Sequence, residues 1–357
     1  MQQSATPDPI SAARAEFERM MARHISGLTY FTSPAPVVGA TPKDVLIARG
    51  PMRLNHYRAT TDEVYRIPIL LVMATTNRGF IFDMVPGQSL VEFLLDAGFD
   101  VFMLEWEAPR GHERTLTLED YAVNFIGAAV ERVKAETGEP DVSIVGYCFG
   151  GVLSLLHTAL RPGTGIANLV TFTTPVDFSQ MDMFAAWSDP RYFDVDRLVD
   201  TFGNVPGDML YSSFDMLRPA ARTAGNIRLY DNLWNDEYVK SFRMFERWNT
   251  DTLPLAGEYF RQTTRMLMQE NRLLNGTMEV GGRRVDPGDI TIPFLHLAAE
   301  HDHIVPRAAS APLLGMIGSA DKQEIVLKGG HVSLVAGGNA IKRMWPTLAG
   351  WLAERSL

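Results

Sequence analysis

The sequence predicts an α/β fold, with a mostly parallel sheet flanked by helices and a large, mainly helical insertion. Three observations carry this. Short, nearly continuous apolar runs such as Ile69–Met73 and Pro293–Ala299 have the character of strands buried on both faces. Helical periods separate these runs at the spacing of βαβ units. The alternation lapses between residues 176 and 288 and then resumes.

Residues 10–28 read as a helix, with Ala13, Phe17, Met20, Met21 and His24 at helical spacing. The prolines of residues 34–42 exclude helix there and make that stretch an arm. Val45–Arg49 and Met52–Tyr57, joined across Gly50-Pro51, predict an antiparallel edge. Buried strands follow at Ile69–Met73, Val101–Leu104, Val142–Gly146 and Leu169–Thr173. Helices lie between them at residues 88–97, stopped by Gly98, from Thr117 to Thr137, stopped by Gly138, and at Gly151–Leu160.

After Pro175 come aromatic, Met-rich helical patterns at Met183–Trp187, Arg197–Phe202, Met209–Leu217, Glu237–Trp248 and Leu255–Leu274. Gly281-Gly282 predicts a hairpin turn. Pro293–Ala299, Glu324–Leu327 and a helix over Ala340–Arg355 complete the core. The expected organisation is an N-terminal helix and arm over 1–43, a core over 44–175 and 289–357, and a helical lid over 176–288.

Composition narrows the function classes. The chain has 357 residues, 46% hydrophobic and 21% charged, which fits an ordinary globular protein of one or two domains. Its single cysteine excludes an intrachain disulfide and a cysteine-built zinc site. Lys and Arg number 33 against 42 Asp and Glu, and the net charge of −9 argues against a nucleic-acid-gripping protein. The first nine residues lack an apolar signal region, and Ile67–Ala74 falls far short of a membrane span. A cytoplasmic protein without a transmembrane segment is the expectation.

Gly146-Tyr147-Cys148-Phe149-Gly150-Gly151 lies between a buried strand and a helix. This is the nucleophile elbow G-x-S-x-G with sulfur in place of oxygen. Small residues two before and two after the nucleophile let strand and helix approach. The helix N-terminus points free N–H groups at the sulfur, and the Phe149 N–H is placed to meet an oxyanion. A second donor is expected among Ala74–Thr76, with Thr75 the candidate.

An elbow needs an acid and then a histidine later in the chain. Asp302 follows a buried strand, and His331 follows Gly329-Gly330 after the next one. Asp177 is a rival acid. His157 and His296 read as packed histidines. His301 and His303 form an H-x-H pair without an evident third ligand, so no metal and no cofactor is expected. Arg78 is a candidate for an anionic substrate group.

A cysteine nucleophile gives an acyl thioester, which is activated for transfer to another nucleophile. His331 would take the thiol proton. Asp302 would orient His331 or help activate an incoming hydroxyl.

Taken together, the chain resembles the polyhydroxyalkanoate synthases, specifically the catalytic subunit of the short two-subunit (class III) type, on an α/β-hydrolase fold. The resembling stretches include Thr41–Val45, Asn77-Arg78, Ser89–Val91, Leu94–Gly98, Leu116–Tyr121, Gly146–Gly151 and Thr174–Phe178. Gly203–Met209, Gly257–Gln262, Asp302–Pro306 and Gly329–His331 complete them, over about residues 40–355.

The resemblance implies polymerisation of (R)-3-hydroxyacyl-CoA with release of CoA. It implies catalytic roles for Cys148, Asp302 and His331, a homodimer, a second non-catalytic subunit, and attachment to polyester granules. Asn77, Arg78 and Tyr147 are candidates for substrate binding.

The chain departs from the family in three places. Tyr147 and Phe149 stand where short members more often carry a small aliphatic residue and glutamine. Val332-Ser333-Leu334 replaces an isoleucine-glycine start, and Trp106-Glu107-Ala108-Pro109 replaces Trp-Gly-x-Pro. The elbow differences bear on the shape of the acyl pocket. The alternative reading is a cysteine-type hydrolase or thioesterase releasing acyl groups to water. A non-catalytic scaffold is a third.

Overall fold

The structure, a computed structural model, describes residues 8–357. Its centre is an eight-stranded sheet. The chain's strands are β1 (Lys43–Arg49), β2 (Met52–Tyr57), β3 (Ile69–Val72), β4 (Val101–Trp106), β5 (Val142–Tyr147), β6 (Ile166–Phe172), β7 (Glu279–Val280), β8 (Arg283–Arg284), β9 (Phe294–Ala299) and β10 (Lys322–Leu327). The sheet order is β1-β2-β4-β3-β5-β6-β9-β10, with β7 and β8 forming a separate hairpin. β1 and β2 pair antiparallel, as do β2 and β4; every other neighbouring pair in the sheet is parallel.

The sheet therefore has the mostly parallel character, the antiparallel edge and the Gly281-Gly282 hairpin that the residue pattern predicts. The central strands are completely buried because helices cover both faces. β1, at the edge, has no buried residue.

The helices between strands fall where expected, at Leu90–Asp96, Ile126–Thr137 and Phe149–Leu160. A wide π turn over Asp120–Phe125 precedes the second of them, and two more occupy Thr264–Gln269 and Ala340–Met344.

The chain divides into two compact units: one joins residues up to Val37 with Arg218–Thr250, the other joins Val38–Leu217 with Asp251–Leu357. The sheet lies in the second unit, together with helices at Asp182–Trp187, Val195–Phe202, Gly207–Met216 and Gly257–Thr263.

The first unit holds helices at Pro9–Thr32, Pro219–Asp231 and Asp236–Thr250. There Tyr30 Oη donates to Glu246 at 2.8 Å, and Arg243 donates to the carbonyls of Ser33 and Pro34. Phe17, Met20 and Met21 are exposed on the first helix. Helical spacing found the helix, but spacing alone does not say that an apolar face is covered. Met1–Pro7 lie outside the described residues. Among the described residues, no helix is long and apolar enough to cross a membrane.

Candidate active site

β5 ends at Tyr147, and the helix Phe149–Leu160 begins one residue later. Only Cys148 separates them, at φ 53° and ψ −118°, a backbone conformation costly for any residue with a side chain. The surrounding glycines make that turn possible. A Cβ on Gly146 would stand 2.6 Å from the Gly151 Cα, and one on Gly150 would stand 2.3 Å from the Val72 carbonyl oxygen. Strand, turn and helix are thus locked together at a spacing that only glycine permits.

A loop and the start of a short helix at the C-terminal rim of the sheet bring the partners. Asp302 follows β9, and His331 follows β10. The His331 Nδ1–H donates to Asp302 Oδ2 at 2.7 Å. Asp302 Oδ1 accepts the N–H groups of Ile304 and Val305, both at 2.9 Å. The carboxylate is thereby held on both oxygens. The Cys148 side chain is a second partner that favours the charged imidazole.

Burial pulls the His331 imidazole toward its neutral form. The Asp302 charge, the Cys148 sulfur and the two hydrogen bonds outweigh that and push it up to about 10. Cys148, His331 and Asp302 thus form one connected row. Asp177 is not part of it; its carboxylate binds Ser179 and Asn271.

The remaining sequence candidates separate into two groups. Thr75 and Phe149 line, with Cys148, a cavity of about 520 Å³ walled by Phe178, Phe184, Trp187, Tyr259 and Met268 among others. Asn77, Arg78 and Tyr147 are not among its lining residues. Arg78 is held by two carboxylates, Glu107 at 2.7 Å and Asp251 at 3.3 Å. Asn77 accepts from the Thr76 hydroxyl and bridges in the backbone to Thr252. Tyr147 is buried with its ring 5.3 Å from that of His331, and its hydroxyl has no partner.

His157 donates from Nδ1 to the Ala122 carbonyl, and His296 is bonded through Nδ1 to Thr171. Burial pushes both down to about 4. Among the described residues, no group of three or more His, Cys, Asp or Glu is placed to hold a metal ion.

Sequence reasoning missed Tyr259, whose hydroxyl lies 3.2 Å from Thr75 Oγ1 in the cavity wall. An aromatic at helical spacing in an apolar stretch carries no signal of that kind. It missed equally that the Trp106 indole donates to the Met73 carbonyl at 2.9 Å.

The family model for the alpha/beta hydrolase fold matches residues 70–337, and that for the N-terminus of poly-beta-hydroxybutyrate polymerase (PhaC) matches residues 34–94. The poly(3-hydroxyalkanoate) polymerase subunit PhaC of Allochromatium vinosum is 35% identical over 353 residues, covering 98% of both chains. That of Thiocystis violacea is 32% identical over 354 residues, again covering 98% of both. The Haloferax mediterranei subunit is 33% identical over 321 residues, which are 89% of this chain and 65% of that longer protein.

Among solved structures, the monoacylglycerol lipase of Paleococcus ferrophilus superposes with a TM-score of 0.51 at 17% identity, covering 84% of this chain and 99% of that one. Likeness at that identity speaks to the fold alone. The fold and the sequence relatives converge: the chain belongs to the poly(3-hydroxyalkanoate) polymerase family, built on an α/β-hydrolase fold.

Proposed function

We propose that this protein polymerises (R)-3-hydroxyacyl-CoA into polyhydroxyalkanoate through an acyl chain carried on Cys148. The observation that carries the mechanism is the row of Cys148, His331 and Asp302 opening onto an apolar cavity. The curated relatives, named polymerase subunits, favour transfer to a hydroxyl over transfer to water.

The Cys148 sulfur attacks the thioester carbonyl, and its proton resides on His331. The carbonyl electron pair moves to oxygen, where the N–H groups of Phe149 and Thr75 receive it. Neither N–H has an acceptor among the described residues. Collapse re-forms the carbonyl and expels CoA, whose sulfur takes the proton from His331.

The 3-hydroxyl of the next substrate then attacks the Cys148 thioester. Its proton passes to His331, and the cysteine sulfur leaves. The lengthened chain, now on CoA, is recaptured by Cys148, so one CoA is released per unit added. Asp302 orients His331 throughout, a role supported by the engagement of both its oxygens.

Within the stretch 176–288, residues 176–217 and 251–288 form a lid that shelters the acyl group from water. Its residues between Phe178 and Met268 supply most of the cavity wall. The family resemblance further supports a two-subunit synthase, a homodimer and residence on polyester granules.

Incubation with (R)-3-hydroxybutyryl-CoA tests the reading. CoA release together with insoluble polyester supports it, and CoA release with only free hydroxy acid overturns it in favour of a thioesterase.

A further inference from the structure

We infer that Tyr259, with Tyr121 and Trp106, forms an aromatic clamp that positions the second oxyanion donor, Thr75. This rests on the reading of Phe149 and Thr75 N–H as the oxyanion donors. The segment after β3 is irregular: Met73 and Ala74 have no regular structure, and Thr75 and Thr76 form a turn. A donor on such a loop is useful only if the loop is held. Hydrogen bonds aimed at a developing charge lose their effect when displaced by a fraction of an ångström.

Backbone bonds hold its ends, Met73 N–H to the Leu104 carbonyl at 3.1 Å and Leu253 N–H to the Thr76 carbonyl at 2.7 Å, and two side chains grip it between them. At its start the Trp106 indole N–H donates to the Met73 carbonyl at 2.9 Å. Two residues on, the Thr75 hydroxyl meets the Tyr259 hydroxyl at 3.2 Å.

These grips are not independent. The Trp106 ring lies 5.0 Å from that of Tyr121, and Tyr121 stacks on Tyr259 at 4.2 Å. The three rings form a column whose two ends carry the two hydrogen bonds. All three side chains are buried, so the column cannot swing into solvent.

Tyr259 also reaches the other donor. Its ring meets the Phe149 ring edge-on at 6.2 Å. One residue of the helix Gly257–Thr263 therefore touches the side chains of both residues whose N–H groups face the developing oxyanion. Tyr121 lies in the wide turn over Asp120–Phe125, and such turns recur at functional sites.

Burial keeps the Tyr259 phenol protonated. Its role is that of a neutral tie rather than an acid. Tyr259 is thus a positioning residue: it acts through Thr75 and Phe149.

The test uses the full chain with (R)-3-hydroxybutyryl-CoA, reading first-turnover and steady-state CoA release across substrate concentration. Tyr259→Phe and Thr75→Val should each lower kcat roughly tenfold and leave KM within about twofold. The double variant should be no slower than the worse single one, because both remove one bond. Thr75→Ser, which keeps the hydroxyl, should restore most of the rate.

A kcat within about twofold of the parent in both singles, a loss confined to KM, or losses that multiply in the double variant would each overturn the clamp. If Tyr259→Phe does not fold, Thr75→Val decides the matter, since it leaves every ring in place. Failure of the polymerase reading is separate: free acid in place of polyester alters the product, while the first-turnover release of CoA still measures the clamp.

Discussion

His296 lies in the middle of β9, and His331 opens the short helix His331–Val335 beyond β10 at the rim of the same sheet. Both side chains are almost fully buried, with residue exposures of 1% and 4%. Burial drives His296 down to about 4, whereas His331 is held up at about 10. The difference is made by what the rim supplies. In the strand interior His296 has a threonine hydroxyl on Nδ1 and nothing on Nε2. At the rim a loop, a helix start and a strained turn converge, so His331 has a carboxylate on Nδ1 and the Cys148 side chain as a second partner. The interior of the sheet suppresses charge, and its C-terminal rim collects it.

The largest effect expected at the rim is the loss of the nucleophile. Cys148→Ala should reduce CoA release by roughly 10³-fold or more and abolish any acyl-enzyme detected by intact mass. Release that survives the substitution would remove Cys148 from the mechanism.

Next comes the geometry beneath it. Gly150→Ala drives a methyl group to 2.3 Å from the Val72 carbonyl oxygen and 2.7 Å from Met73. It should cost about 2 kcal/mol or more in urea unfolding, since neither strand nor helix has room to yield.

The two histidines then predict opposite pH slopes of stability. His331 is raised from 6.5 to about 10 in the folded state. Its contribution is full below pH about 6.5 and is lost as the pH climbs through about 10. The stability gap between the parent and His331→Gln should therefore shrink over that window.

His296 is lowered from 6.5 to about 4, so its folded form loses stability as pH falls from about 6.5 toward 4. His296→Gln should flatten that acid limb in part, with His157 supplying the remainder in the same direction. Equal slopes for the two variants would erase the contrast between rim and interior.

The smallest effect is expected from Tyr147→Phe. Its hydroxyl is buried without a partner, so removing it should raise stability by about 1 kcal/mol and leave CoA release nearly unchanged. A large loss of activity would mean that the hydroxyl finds a partner during turnover.

Much of this was legible in the residues, and for physical reasons. Strands buried on both faces must be apolar throughout, so β3, β4, β5, β6 and β9 announce themselves. The elbow is legible because a turn that tight requires glycine on either side of Cys148. The meeting of Asp302 with His331 is legible because both follow strand ends at the same rim of the sheet.

The helix Pro219–Asp231 escaped because it has no buried residue and hence no apolar face to read. Strand ends also ran on: β4 continues to Trp106, past a half-buried Glu105 that breaks the apolar run. The clamp was invisible for a different reason. Trp106, Tyr121 and Tyr259 come from three separate segments, and only the folded chain reveals that their rings share one column. Arg78 shows the converse: its charge suggested an anionic ligand, yet two neighbouring carboxylates already answer it.

The single thiol set against His331 has a consequence outside acyl transfer. An imidazolium at a sulfur's side sharpens that sulfur toward peroxides as well as thioesters. A sulfenic acid formed at Cys148 finds no second cysteine in the chain with which to close a disulfide. Its repair must come from an external thiol, and until it does, oxidation proceeds toward irreversible acids. On the proposed mechanism, the same thiol that carries the chain thus ties the working lifetime to the reducing power of its surroundings.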